Sequence, residues 1–166
     1  MPSIWPVLVP SAAVLGLTVP ELPSFTGNLH DVLPQPYAGA VLVLCSIVCG
    51  TVLGLERRAR HKPAGLRTVI LICVGSTVFT LVSVLVATDA GSDPGRIAAQ
   101  VVTGVGFLGA GAIIRERGQV VGLTTAATIW VVAAIGVLVG AGYAAGGVGV
   151  ALLVLVTLII SRPHGD

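Results

Sequence analysis

Apolar residues in this chain come in long unbroken runs separated by short charged clusters. After Glu21 and Asp31, the charges fall at Glu56, Arg57, Arg58, Arg60, Lys62 and Arg67, then at Asp89, Asp93 and Arg96, then at Arg115, Glu116 and Arg117, and last at Arg162 and Asp166. The intervals 32–55, 68–88, 97–114 and 118–161 hold none. A helix that crosses a bilayer needs about 20 mainly apolar residues, at about 1.5 Å each, to cover roughly 30 Å of hydrocarbon. Each interval meets that need, and the last is long enough for two spans with a turn at Gly146-Gly147. Five helices are therefore predicted, over 38–55, 68–88, 97–114, 122–143 and 145–161. No period-two alternation of apolar and polar residues occurs, so barrel strands are not expected. The fold class is an all-α, polytopic membrane bundle.

Composition agrees with the pattern. Of 166 residues, 55% are hydrophobic and 10% charged, against roughly 25% charged in soluble domains. A water-soluble globule, a nucleic-acid binder and a disordered tail are excluded as classes. Cations in short loops mark the cytoplasmic side. Loop 56–67 carries five cations against Glu56, and 115–117 two against Glu116. The N-terminal side is therefore expected outside and the C-terminus in the cytoplasm, which puts Tyr37 and Tyr143 together at the outer interface, where amphipathic rings are favoured. Residues 1–37 read as an outer-face segment lying on the bilayer, because Pro2, Pro6, Pro10 and Pro20 interrupt any helix. A sixth span and an uncleaved signal-like stretch are the alternatives. Residues 38–161 form the membrane domain and 162–166 a short cytoplasmic tail.

No ionisable residue falls at mid-span, which argues against a proton-coupled pump. The span Ser and Thr residues are expected to return hydrogen bonds to their own helices. Gln100 carries both donors and an acceptor and should face a partner helix or a wet cavity. Small residues four apart, at Gly50/Gly54, Gly106/Ala110, Gly136/Gly140 and Gly142/Gly146, let helix backbones approach closely. They serve packing within one monomer or a homodimer seam. Gly104–Gly111 resembles a dinucleotide loop only superficially, since no strand precedes it. Cys45, Cys49 and Cys73 read as small apolar residues, and His30, His61 and His164 show no ligand spacing. No metal, cofactor or catalytic residue is expected. Asp93-Pro94 reads as a helix start, with Asp93 capping free amides and pairing with Arg96. The basic loop 56–67 reads as a topology determinant that attracts anionic lipid.

Five motifs in order carry a resemblance. They are Gly54-Leu-Glu-Arg57, Lys62-Pro-Ala-Gly-Leu-Arg-Thr68, Asp93-Pro-Gly-Arg-Ile-Ala-Ala-Gln100, Gly104-Val-Gly-Phe-Leu-Gly-Ala-Gly-Ala-Ile-Ile-Arg115 and Val121-Gly-Leu-Thr-Thr-Ala-Ala-Thr-Ile-Trp130. Together, over roughly 50–140, they resemble the MgtC/SapB family of bacterial inner-membrane proteins. The resemblance implies a five-span protein of the inner membrane and a link to survival at low magnesium and, in pathogens, to virulence. It also implies a non-enzymatic regulator acting by lateral contact with another membrane complex, with the membrane ATP synthase as the candidate. The alternative class is a magnesium-linked transporter or channel, and a third is a lipid-binding or structural dimer. Motif matching makes Glu56, Arg57, Arg67, Asp93, Arg96, Gln100, Gly106, Gly109, Arg115, Thr124 and Thr125 the candidate functional residues. The lipid bilayer and a second copy, as a dimer, are the expected partners. Many members carry a soluble domain after the last span. This chain stops at Asp166, so regulation seated in such a domain is expected to be absent.

Overall fold

A computed structural model describes residues 37–86, 95–116 and 118–160. The expected surface segment 1–36, the Asp93-Pro94 cap and the tail 162–166 lie outside the described residues. Five helices are present: α1 (Tyr37–Ala59), α2 (Leu66–Val86), α3 (Arg96–Gly111), α4 (Leu123–Gly140) and α5 (Ala144–Ile160). Helices α1, α2 and α4 are long and apolar enough to cross a membrane, and α5 is a shorter apolar helix.

The third expected span is shorter than its uncharged interval. Helix α3 has 16 residues, or about 24 Å at the usual rise. It ends where the Ala112 amide turns back on the Leu108 and Gly109 carbonyls. The chain then forms a hairpin of β1 (Ile114–Glu116) and β2 (Gln119–Val121), with Ile114 opposite Val121 and Glu116 opposite Gln119. This corrects the expectation of a helix running to residue 114, since the chain leaves it for a short hairpin. β-Branched Ile113, Ile114, Val120 and Val121 favour extended backbone, and Gly118 at φ +87° supplies the left-handed turn position. The α3 cap position falls on Gly95, two residues beyond Asp93.

The last turn also moves. Gly146 and Gly147 lie inside α5, and the chain reverses at Gly142, φ +97°. Tyr143 N–H donates to Leu138 O (3.1 Å) and Gly142 N–H to Val139 O (2.9 Å). This paired closure satisfies carbonyls that a helix end leaves open. Helix α1 ends the same way, with Lys62 N–H on Arg57 O (3.1 Å) and His61 N–H on Arg58 O (3.0 Å). Here the left-handed residue is His61, φ +52°. Asn tolerates that conformation and β-branched residues do not. His61→Val is therefore expected to unfold earlier than His61→Asn by about 1–2 kcal/mol. Thermal melts of the two variants in one detergent check this, and equal midpoints would refute it.

Helix α4 sits at the centre, touching α1, α2, α3 and α5. Glycines set its approach. A methyl on Gly136 would collide with Cys73 O, and one on Gly140 would lie 2.6 Å from Thr77 O. In the absence of those methyls, α2 and α4 pack backbone to backbone in parallel, and Thr77 Oγ1 shares its proton between Cys73 O (2.9 Å) and Gly136 O (3.0 Å). Helices α1 and α2 cross antiparallel at Gly50 and Gly54, whose added Cβ atoms would meet Ile70 Cα at 2.9 Å and Leu66 Cα at 2.8 Å. Leu42, Cys49, Leu53, Val69, Cys73, Val132, Ile135, Val139 and Ala151 form the main buried cluster. Lipid tails are as apolar as these side chains, so dispersion between closely fitted surfaces holds the helices together. Other hydroxyls stay local: Thr80 donates to Ser76 O (2.8 Å), Thr128 to Thr124 O (2.7 Å) and Ser46 to Val43 O (2.8 Å).

Candidate functional site

The core-facing stripe of α1 runs Ala38, Leu42, Ser46, Cys49, Gly50, Leu53, Gly54 and Arg57, the three- and four-residue spacing of one helix face. Arg57 continues that stripe, so its guanidinium points inward and is 2% exposed. The Glu56 side chain is 7% exposed, with Oε2 3.8 Å from Arg57 Nη1 and Oε1 2.5 Å from Arg60 Nε. Arg60 also reaches Ile159 O with Nη2 at 3.3 Å, tying the end of α1 to the end of α5. Neither Glu56 oxygen has a donor in hydrogen-bond alignment, and Arg57 Nε and Nη2 are buried without a hydrogen-bond partner among the described residues. Three charged side chains thus share one poorly hydrated corner, an arrangement held by Coulomb attraction. Cations in the last turn also suit the negative end of the α1 dipole.

Antiparallel connections gather most candidates at this end of the bundle. Exposed Arg67 opens α2, exposed Arg115 lies in the hairpin, and Thr124 (exposed) and Thr125 (buried) open α4. Gly109 packs near Ala126, 3.8 Å from its carbonyl oxygen to an added Cβ. Arg96 and Gln100, both exposed, start α3 at the opposite end, with Tyr37 and Tyr143. Asp93 lies outside the described residues. Gly106 and Ala110 are exposed, and nothing lies within 4 Å of an added Gly106 Cβ. They do not pack within the monomer, unlike Gly50, Gly54, Gly136 and Gly140.

Two participants are not among the candidate residues that motif matching names. Arg60 binds Glu56 from four residues on, a spacing that brings side chains together on a helix. Gly122 caps α4 with φ +91°, and any Cβ there would collide with Ala112 O. Its signal is a glycine immediately before Leu-Thr-Thr at a helix start.

Between α2 and α3, with α4 as floor, lies an apolar groove of about 840 Å³. Thr68, Leu71, Gly75 and Phe79 line one wall, and Gln100, Gly104, Leu108 and Gly111 the other. Gln100 thus meets an open cavity wall. The cysteines are free thiols, Cys49 and Cys73 buried. Among the described residues no group of three His, Cys, Asp or Glu side chains could hold a metal ion.

A model of the MgtC family matches residues 43–166. The chain is 55% identical over 107 residues to an Escherichia coli protein named "Putative magnesium transporter YhiD", covering 61% of this chain and 49% of that one. It is 45% identical over 120 residues to Protein MgtC of Salmonella typhimurium, covering 72% and 51%. With Protein MgtC of Brucella abortus it shares 52% over 105 residues, covering 63% and 41%. The chain spans about half the length of these curated relatives. No solved structure matches it. With three helices long and apolar enough to cross a bilayer and a family match over most of its length, the chain is a membrane protein that belongs to the MgtC family.

Proposed function

We propose that this chain is a five-span, non-enzymatic regulator in the bacterial inner membrane, tied to adaptation to low magnesium and acting by lateral contact with another membrane complex. The N-terminal side lies outside and the basic end faces the cytoplasm, following the positive-inside rule. Family resemblance makes the membrane ATP synthase the candidate partner. The observation that carries the reading is the outer face of α3. Ala99, Thr103, Gly106 and Ala110 share that face and are all exposed, and Phe107 beside them is 81% exposed. Small residues on a membrane helix admit a neighbouring helix to close range, and this face is left uncovered by the monomer.

Inverted vesicles containing the synthase test the reading. ATP-driven proton pumping is expected to fall when this chain is present and to recover with Gly106→Leu/Ala110→Leu. Open space around Gly106 means that pair should leave the melting temperature within a few degrees of the parent. Pumping unchanged by the parent chain overturns the proposal.

A magnesium-linked transporter or channel is the second reading, favoured by the name of the Escherichia coli relative. Hard divalent cations take oxygen ligands, carboxylates foremost. Among the described residues the acids are Glu56, committed to Arg57 and Arg60, and Glu116 on the hairpin. The outer carboxylates Asp89 and Asp93 speak for transport and the neutral span interiors against it. Gradient-dependent divalent uptake into proteoliposomes would reverse the order.

A further inference from the structure

The groove between α2 and α3 lies on the side of α3 away from its small-residue face, and the regulator reading leaves it unused. We infer that it holds one acyl chain of an anionic phospholipid, with the headgroup phosphate on the cations at its basic mouth. Three observations choose this occupant. The first is length. The walls run from Thr68 to Phe79 on α2 and from Ile97 to Gly111 on α3, about 16–21 Å at the helical rise. One leaflet contributes half of a hydrocarbon core about 30 Å thick, so the track is long enough to take an acyl chain along its length. The second is lining: mostly apolar side chains and bare glycine backbone, with Gln100 and a few hydroxyls the polar exceptions, and an 840 Å³ volume inside the range of small-molecule sites.

The third is charge, concentrated at one mouth: the opposite mouth has Arg96 alone among the described residues, beside Ile97. Pro63, Thr68 and Ala112 border the basic mouth. Lys62 precedes Pro63, Arg67 precedes Thr68, and Arg115 follows Ala112 by three residues; all three cations are exposed. Glu116 is the one acid beside them with no ion pair to a described residue, since Glu56 is buried against Arg57 and Arg60. The mouth is therefore net positive. Cations near an anionic lipid surface each add attraction, and a lipid whose tail is already aligned meets them at headgroup depth.

Two glycines make the inference testable. Gly75 stands on one wall and Gly104 on the other, and an added Cβ at either meets nothing within 4 Å. Gly75→Leu/Gly104→Leu puts side chains into the groove from positions where the Cβ itself is unobstructed. The full chain in detergent, titrated with phosphatidylglycerol or phosphatidylcholine, is read by native mass spectrometry beside its thermal melt. The parent is expected to retain one phosphatidylglycerol and to prefer it over phosphatidylcholine. The filled variant should lose that adduct while melting as the parent does. Lys62→Gln/Arg67→Gln changes exposed side chains alone and should lower the preference about fivefold per cation; it keeps the test decisive if the filled variant misfolds. Retention of phosphatidylglycerol by a folded filled variant, equal binding of both lipids by the parent, or a dimer abolished by filling would each overturn the inference. The last outcome would assign the groove to a second copy.

Discussion

Glu56→Gln is expected to destabilise the bundle by about 3–5 kcal/mol, the usual cost of removing one partner from a buried ion pair. Among the described residues the carboxylate is the one acidic group beside Arg57, whose guanidinium is 2% exposed and has no described hydrogen-bond partner for Nε and Nη2. Glutamine keeps the shape and removes the charge, leaving a cation in a corner that water does not reach. Arg57→Met in the same background should recover most of the loss, because an apolar side chain of similar length needs no counter-charge. Arg60 would then lose its carboxylate too, but at 30% exposure it has access to water. Stability of the single and double variants, measured as resistance to denaturing detergent, gives the coupling directly. A fully stable Glu56→Gln would show that the cluster is not held by its charge balance.

The second large effect is at Gly122. A side chain there meets two independent obstacles: a left-handed φ of +91° and the Ala112 carbonyl, which any Cβ would strike. The conformation alone costs about 1–2 kcal/mol for an ordinary residue, and overpacking typically adds about 1–3 kcal/mol. Gly122→Val should therefore cost about 2–5 kcal/mol by this sum. The damage should centre on the α3–hairpin–α4 corner, which sets where Arg115 and Thr125 stand. Gly118→Val is the comparison: its φ is also positive, at +87°, but nothing lies within 4 Å of an added Cβ. Its loss should be confined to the conformational part. Equal losses at the two sites would remove the steric argument.

Some of the site was legible before any fold was known. Arg57, Arg67, Arg115, Thr124 and Thr125 are motif residues, and short connections between antiparallel helices suffice to bring them to one end. Gln100 follows from chemistry, since an amide in an apolar run needs something wet or polar to face. The burial of Arg57 is also written in the sequence, in the spacing from Leu42 through Ser46, Cys49 and Leu53. Its pairing is harder to read, because Arg57, Arg58 and Arg60 all neighbour Glu56 and only the helix phase separates them. The hairpin was hidden by its own composition. Ile113, Ile114, Val120 and Val121 are as apolar as a span, and the difference between a helix end and a strand lies in backbone hydrogen bonds that hydropathy does not register.

The glycines divide along the same line. Spacing marks Gly50/Gly54, Gly106/Ala110 and Gly136/Gly140 as equivalent pairs, since each puts small residues on one helix face. In the folded chain the first and third are pressed against neighbouring backbones, while Gly106 opens on empty space. Spacing specifies a face but not which helix, if any, covers it.

By itself the sequence determined that this is a helical membrane protein, how its charges cluster and which family it resembles. Those properties follow from the cost of burying polar groups in hydrocarbon, which acts residue by residue along the chain. Only the tertiary structure decided that α3 stops at Gly111, that Glu56 belongs to both Arg57 and Arg60, and that α2 and α3 leave a groove between them. The first two turn on side-chain directions and amide hydrogen bonds that hydropathy does not register, and the groove on how closely two helices approach, which no pattern within either one specifies.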